Sequence, residues 1–280
     1  MKVLKRIFDF YINSSIHVAL SVFSLAWITL LEFELPYDKN VLFFIFFASI
    51  TGYNFVKFFG LAKFHHRSLA TWLKYIQLFS LVCFLLMCYY VLQLEQTTLV
   101  YISVFGVVTF LYAIPFLPKK IFLDEKQNLR SLSGLKVYVI AIVWCGVTVF
   151  LPLANADFLM NWDVSITAIQ RFVFVLVLML PFEIRDLQYD SVKLATIPQQ
   201  IGVKKTKLIG VLLLMVFFFL DYLKDDIQLM NLLVLLAITA ITLLSVVLAK
   251  KEQSKYYSAF FVEGIPVLWL LLVLVFQLLT

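Results

Sequence analysis

Residues 180–207 read LPFEIRDLQYDSVKLATIPQQIGVKKTK. An apolar run leads into this stretch, and three acids follow in it: Glu183, Asp186 and Asp190, at offsets 0, +3 and +7. On an α-helix those offsets place all three side chains on one face. Like charges on one face repel unless a cation sits among them. Mg2+ is one such cation, since it takes carboxylate oxygens and keeps positions open for phosphate. A solvated helix end just outside a membrane span is the other reading of the same residues.

The rest of the chain decides where this helix lies. Of 280 residues, 63% are hydrophobic and only 14% charged. A soluble domain carries about 25% charge. Nine apolar runs recur, at 16–31, 41–59, 72–94, 98–117, 135–153, 166–182, 208–223, 229–249 and 259–279. Each is near the roughly 20 residues that a bilayer-spanning helix needs. Backbone exposed to lipid must pair its own polar groups, so these runs are helices. The sequence therefore predicts an all-α polytopic membrane protein of nine transmembrane helices, in one domain over residues 1–280. The basic start, MKVLKRIF, leads into an apolar run long enough to stay in the membrane and with no small-residue cleavage pattern.

Charge gives the orientation. Of the 23 Lys and Arg, all but Lys39, Arg171 and Lys224 fall at the N-terminus or in the loops after spans two, four, six and eight. That bias predicts a cytoplasmic N-terminus and an outside C-terminus, as in a plasma or bacterial inner membrane. The formal charge of +6 then points to anionic headgroups or an anionic substrate, not to nucleic acid. Cys83, Cys88 and Cys145 lie inside apolar runs without metal-ligand spacing. Arg171, inside a span, implies a partner or aqueous cavity, or else a side chain reaching for the outer interface. The inner loops 57–74, 118–136 and 183–207 exceed what a helix hairpin needs, and long loops over a rigid scaffold tend to carry function. Two of them are four helices apart, which hints at a duplicated four-helix unit with a site between its halves.

At this point the chain resembles the UbiA superfamily of intramembrane prenyltransferases. The motif loop carries the likeness. That family's second Asp-rich motif is D-x-x-D-x-x-x-D, followed by a basic residue, Thr-Leu/Ile-Pro and a Gly before the next helix. Those places hold Glu183, Asp186, Asp190, Lys193, Thr196-Ile197-Pro198 and Gly202 here. The first acid is Glu, which keeps the charge and the oxygens. Tyr112 to Lys120, YAIPFLPKK, is similar to the Tyr, Pro and basic cluster that ends helix four in the family. The first Asp-rich motif, N-x-x-x-D-x-x-x-D, is matched at Asn54 only: Phe58 and Ala62 stand at its acid positions. Arg67-Ser-Leu69 resembles the family's Arg-Pro-Leu with the proline lost.

The resemblance implies a UbiA-like helical bundle and transfer of a polyprenyl group from a diphosphate to a hydrophobic acceptor, such as an aromatic quinone precursor. It implies Mg2+ on Glu183, Asp186 and Asp190, with Asp186 and Asp190 catalytic. Asn54, Lys57, Arg67, Lys119, Lys120 and Lys193 become candidate diphosphate contacts. Lys57 is one turn beyond Asn54 and reads either as a point charge for phosphate or as a residue snorkelling to headgroups. Glu263 is an interfacial acid or a polar wall of the site. His65 and His66, adjacent and without further ligands, read as loop residues. The missing first motif leaves a non-catalytic isoprenoid or lipid binder as the alternative. Oligomeric state is not legible.

Overall fold

The computed structural model describes residues 2–58, 71–113, 134–189, 196–225 and 229–279. Among the described residues every regular element is helical. In chain order these are α1 (Lys2–Asn13), α2 (Ile16–Glu32), α3 (Lys39–Phe58), α4 (Thr71–Val91), α5 (Gln96–Ala113), α6 (Leu135–Cys145), α7 (Leu151–Asn155), α8 (Trp162–Asp186), α9 (Ile197–Phe219), α10 (Leu229–Leu248) and α11 (Ile265–Leu279). A π-helical turn, Gly146–Phe150, joins α6 to α7, and a second, Tyr257–Val262, precedes α11.

Seven helices are long and apolar enough to cross a bilayer, and α1 with α2, bent by 55°, makes an eighth if the pair is one span. The chain is an integral multi-pass membrane protein. The expected count of nine is not reached among the described residues. Gln96–Tyr112 is too short to qualify, and α2 counts only together with α1.

The bundle is built around α8. Of its apolar window 83% is buried, against 11% for Leu73–Val91 of α4 and 22% for the span containing α9. It packs on α6, α9 and α10, while α2 packs on α3 and α11. A helix that is apolar all round belongs inside, and the outer helices leave their apolar sides to lipid. Close packing at the motif end depends on Gly210, where a Cβ would sit 2.9 Å from both Leu180 and Val246.

The end of the bundle that holds the C-terminus of α2 and the N-terminus of α8 carries a buried ionic network. Arg171 is 2% exposed. Its Nη1 donates to Leu25 O at 2.8 Å, its Nη2 contacts Thr29 Oγ1 at 3.3 Å, and its guanidinium lies 5.4 Å from the Trp269 ring centre. The side chain thus stays inside and finds its partners in the protein. Lys224 Nζ pairs with Glu32, and with Asp221 at 2.8 Å. Thr167 Oγ1 donates to Glu32 Oε1 at 3.0 Å, and Gln170 Nε2 to Phe217 O at 3.0 Å. Removing one member of a buried charge set leaves the others uncompensated. Arg171→Ala should therefore cost on the order of 3 kcal/mol, read as a lower thermal midpoint in detergent. Lys39→Ala, exposed at the same end, should leave the midpoint unchanged.

Candidate active site

The opposite end of the bundle gathers the motif residues. Helix α8 runs through Pro181 and stops at Asp186, where residues 187–189 turn and Tyr189 N–H closes on Asp186 O at 2.8 Å. Glu183 and Asp186 therefore share the last turn of α8 as their spacing predicts. Asp190 lies outside the described residues. Glu183 Oε1 and Asp186 Oδ2 converge on one ammonium, Lys136 Nζ, at 3.6 and 3.5 Å. Asp186 Oδ1 meanwhile accepts from Arg185 Nε at 2.9 Å and Nη2 at 2.7 Å. Lys136 stands in the first turn of α6, just after Gly134 at φ 72°.

The segment Thr196-Ile197-Pro198, expected to lie in a loop before a span at 208, already belongs to a helix. Thr196 caps α9: its N–H donates to Gln199 Oε1 at 3.0 Å, and Pro198 lies in the first turn. A Thr with Gln three residues on is a helix-start signal. Gly202, at φ 79°, breaks the helix after one turn, a conformation that favours glycine.

The other half of the site is the end of α3 against the α1–α2 break. Ser15 has φ 66°, in the left-handed region that side chains disfavour. It is held there by Asn54. The Asn54 Nδ2 donates to Ser14 O at 3.0 Å and Ser80 Oγ at 2.8 Å, and its Oδ1 accepts from Ser15 Oγ at 2.8 Å. Both amide protons are thus taken, and Asn54, 3% exposed, braces the break. Lys57 Nζ spends one proton on Ser15 Oγ at 2.8 Å, and the residue remains exposed.

Glu263 joins the two halves. It follows the π-helical turn, its N–H bonded to Ser258 O at 3.0 Å and its carbonyl accepting from Ser21 Oγ. The turn is fixed from α2, because His17 Nε2 lies 2.9 Å from Phe260 O while Tyr11 O–H meets Nδ1 at 2.7 Å. Phe260 O can only accept, so Nε2 carries a proton, and a neutral ring would then accept the Tyr11 hydroxyl at Nδ1. Lys57 on α3 and Arg185 on α8 both lie within electrostatic range of Glu263, and Tyr53 feels both Glu263 and Tyr112 of α5. The ends of α3, α5 and α8 and the start of α11 thus surround one space. Separately, a mostly apolar cleft of about 220 Å³ opens between α6, α8 and α9, lined by Tyr138, Leu176, Leu180, Gln200 and Leu213.

Of the residues singled out in the sequence, Asn54, Lys57, Glu183 and Asp186 are described and lie at this end. Arg67, Lys119, Lys120, Lys193 and Asp190 fall outside the described residues, as do His65 and His66. Lys136, Arg185, Ser15 and Ser80 were missed as site residues. The two cations had been counted only as positive flanks, and only packing shows which acids they face. Among the described residues no group of three or more His, Cys, Asp or Glu side chains is placed to hold a metal ion; Glu183 and Asp186 offer two carboxylates, of the hard oxygen kind that Mg2+ takes, to the place of one cation. Lys136 holds this place, so the fit requires its ammonium to withdraw.

No family model and no curated protein matches the chain. Two solved structures do. A UbiA homologue from Aeropyrum pernix K1 superposes with a TM-score of 0.66 at 12% identity, over 94% of this chain and 98% of that one. A digeranylgeranylglyceryl phosphate synthase superposes with a TM-score of 0.57 at 16% identity, over 98% of each chain. The likeness first seen in the motif loop is therefore present in the whole bundle, and the chain has a UbiA-like fold.

The geometry separates bracing from binding. Asn54→Ala should lower the thermal midpoint, by the equivalent of about 2 kcal/mol for the buried groups left unpaired. Lys57→Ala should leave the midpoint nearly unchanged, since the ammonium bonds to the chain at a single hydroxyl.

Proposed function

We propose that this chain, an integral membrane protein with a UbiA-like bundle, transfers a polyprenyl group from a diphosphate donor to a hydrophobic acceptor. The observation that carries this reading is the pair of convergent carboxylates at the end of α8. Lys57 of α3 lies at the same end of the bundle. By the charge bias of the loops this end is cytoplasmic.

In the reaction the allylic C–O bond breaks and its electron pair leaves with the diphosphate. An electron pair of the acceptor forms the new bond to that carbon, and the acceptor releases a proton. Mg2+ held by Glu183, Asp186 and Asp190 would neutralise the charge that grows on the leaving group. The chain's own residues supply the rest. Phe58 cannot bind a second metal, and Lys57 one residue before it offers a point charge to the same phosphate. Arg67, Lys119, Lys120 and Lys193 are the further cations that the resemblance offers to the diphosphate. The apolar core beneath keeps water from the carbocation. Prenyltransferase chemistry agrees with the kind of protein whose bundle this one shares, and the acceptor is expected to be aromatic or a quinone precursor.

A second reading, a non-catalytic isoprenoid or lipid binder, is favoured by Phe58 in place of a carboxylate. Binding of a radiolabelled polyprenyl diphosphate, with and without Mg2+, followed by assay of released pyrophosphate, separates the two. Release that needs Mg2+ supports transfer; binding without release in the presence of candidate acceptors supports the binder. Asp186→Asn should abolish the Mg2+-dependent release, and full retention would sink the metal assignment. Lys57→Ala should slow release by about 100-fold, the usual effect of removing one preorganised charge from a transition state.

A further inference from the structure

The cleft between α6, α8 and α9 has a closed floor and open rims. Its floor is α8, where Leu176 and Leu180 are 8% and 1% exposed. On the rims, Tyr138 of α6 is 42% exposed and Ile209 of α9 38%. The cleft therefore opens on the outer surface of the bundle, where a membrane protein meets hydrocarbon. Apolar walls around about 220 Å³ forfeit dispersion contacts until a chain lies against them. Past the break at Gly202, α9 is regular, and Lys205 stands four residues before Ile209. That spacing puts the lysine on the face of α9 that carries Ile209 and Leu213, about 6 Å nearer the motif end than Ile209. Lys205 is exposed, and no described residue pairs with it. Lys207, by contrast, is spent on Val247 O at 2.6 Å.

We propose that this cleft binds one hydrocarbon chain of an anionic phospholipid from the surrounding leaflet, and that Lys205 holds the headgroup. The two parts of the site match the two parts of such a lipid. The apolar lining takes the chain. The lysine stem lies along the apolar face of α9 while its ammonium reaches the headgroup level, and a cation there attracts an anionic headgroup. The open side explains why a two-chain lipid is the occupant: its second chain can run over Leu208 and Leu212, which are 58% and 52% exposed on the adjoining side of α9. The bound chain would pack on Leu176 and Leu180, on the same helix that ends in Glu183 and Asp186. The site is distinct from the diphosphate site proposed above and does not depend on the transfer reaction.

The test places the full-length protein in nanodiscs of dioleoyl phosphatidylglycerol and dioleoyl phosphatidylcholine in equal parts, and reads the lipid retained on its release by native mass spectrometry. The unchanged chain should retain phosphatidylglycerol in preference to phosphatidylcholine. Lys205→Gln should lower that preference about 5-fold, the effect of one cation at an anionic surface. Leu213→Trp, which fills the cleft, should lower retention of both lipids about 10-fold by removing apolar contact with the chain. Leu212→Trp, on the adjoining exposed side, should retain lipid as the unchanged chain does. Equal retention of the two lipids by the unchanged chain, an unaltered preference in Lys205→Gln, or equal retention by the two tryptophan variants overturns the proposal. Should Leu213→Trp not fold, Lys205→Gln, changed at an exposed position, still decides it. Inorganic phosphate should not displace the retained lipid; displacement by an equimolar single-chain polyprenyl phosphate would make the occupant an isoprenoid and overturn the proposal. No step involves turnover, so loss of the transferase reading would leave the outcome intact.

Discussion

A carboxylate at the rim of a hydrocarbon layer stays ionised only beside a cation, and this chain brings cations of its own to both ends of the bundle. At one end Glu32 and Asp221 share Lys224, with Arg171 buried close by. At the other, Glu183 and Asp186 share Lys136, and Arg185 holds Asp186. The same helix carries both, for Arg171 and Asp186 lie on α8 roughly 22 Å apart along its axis. A helix pinned by charges at each end has little freedom to slide, and the apolar residues between are packed on all sides. That is why α8 is the centre of the bundle and why its last turn is a rigid platform for the acids.

At the motif end the backbone breaks at Ser14–Ser15, loosens into a π-helical turn at Tyr257–Val262 and kinks at Gly202. Each break releases polar backbone groups that lipid cannot satisfy. Each is answered by a side chain: Asn54 bonds to Ser14 O, His17 meets Phe260 O, and Thr206 Oγ1 donates to Gly202 O at 2.9 Å. These repairs draw α2, α3 and α11 together around the space that Lys57, Arg185 and Glu263 share. Gln253 ties the same end to the acid helix, its Nε2 donating to Pro181 O at 2.9 Å. Irregular backbone and site polarity thus arise together.

Some of this was legible and some was not, for physical reasons that particular residues illustrate. Glu183 and Asp186 were legible because a three-residue spacing has one meaning on a helix. Asp190 was assigned to the same face by its spacing, and it lies outside the described residues. Thr196 and Gln199 carry a start signal that was read as part of the motif loop, although the short seventh span was expected to extend into its flanks. Asn54 was found, but its partners Ser14, Ser15 and Ser80 are a turn, a break and another helix away. A sequence pattern shows no hydrogen bond between elements so separated.

What the sequence by itself determined is the class: an all-helical chain in a membrane, basic at one set of loops, with an acid pair at the end of its sixth apolar run. Hydropathy and charge are sums over neighbouring residues, and local order is enough to read them. Only the tertiary structure decided which cation answers which acid. Lys136 and Arg185 were two of many positive flanks until folding put Lys136, 47 residues from Glu183 in number, against its carboxylate. Coulomb attraction depends on separation in space and on the local dielectric, and neither is a property of position along the chain.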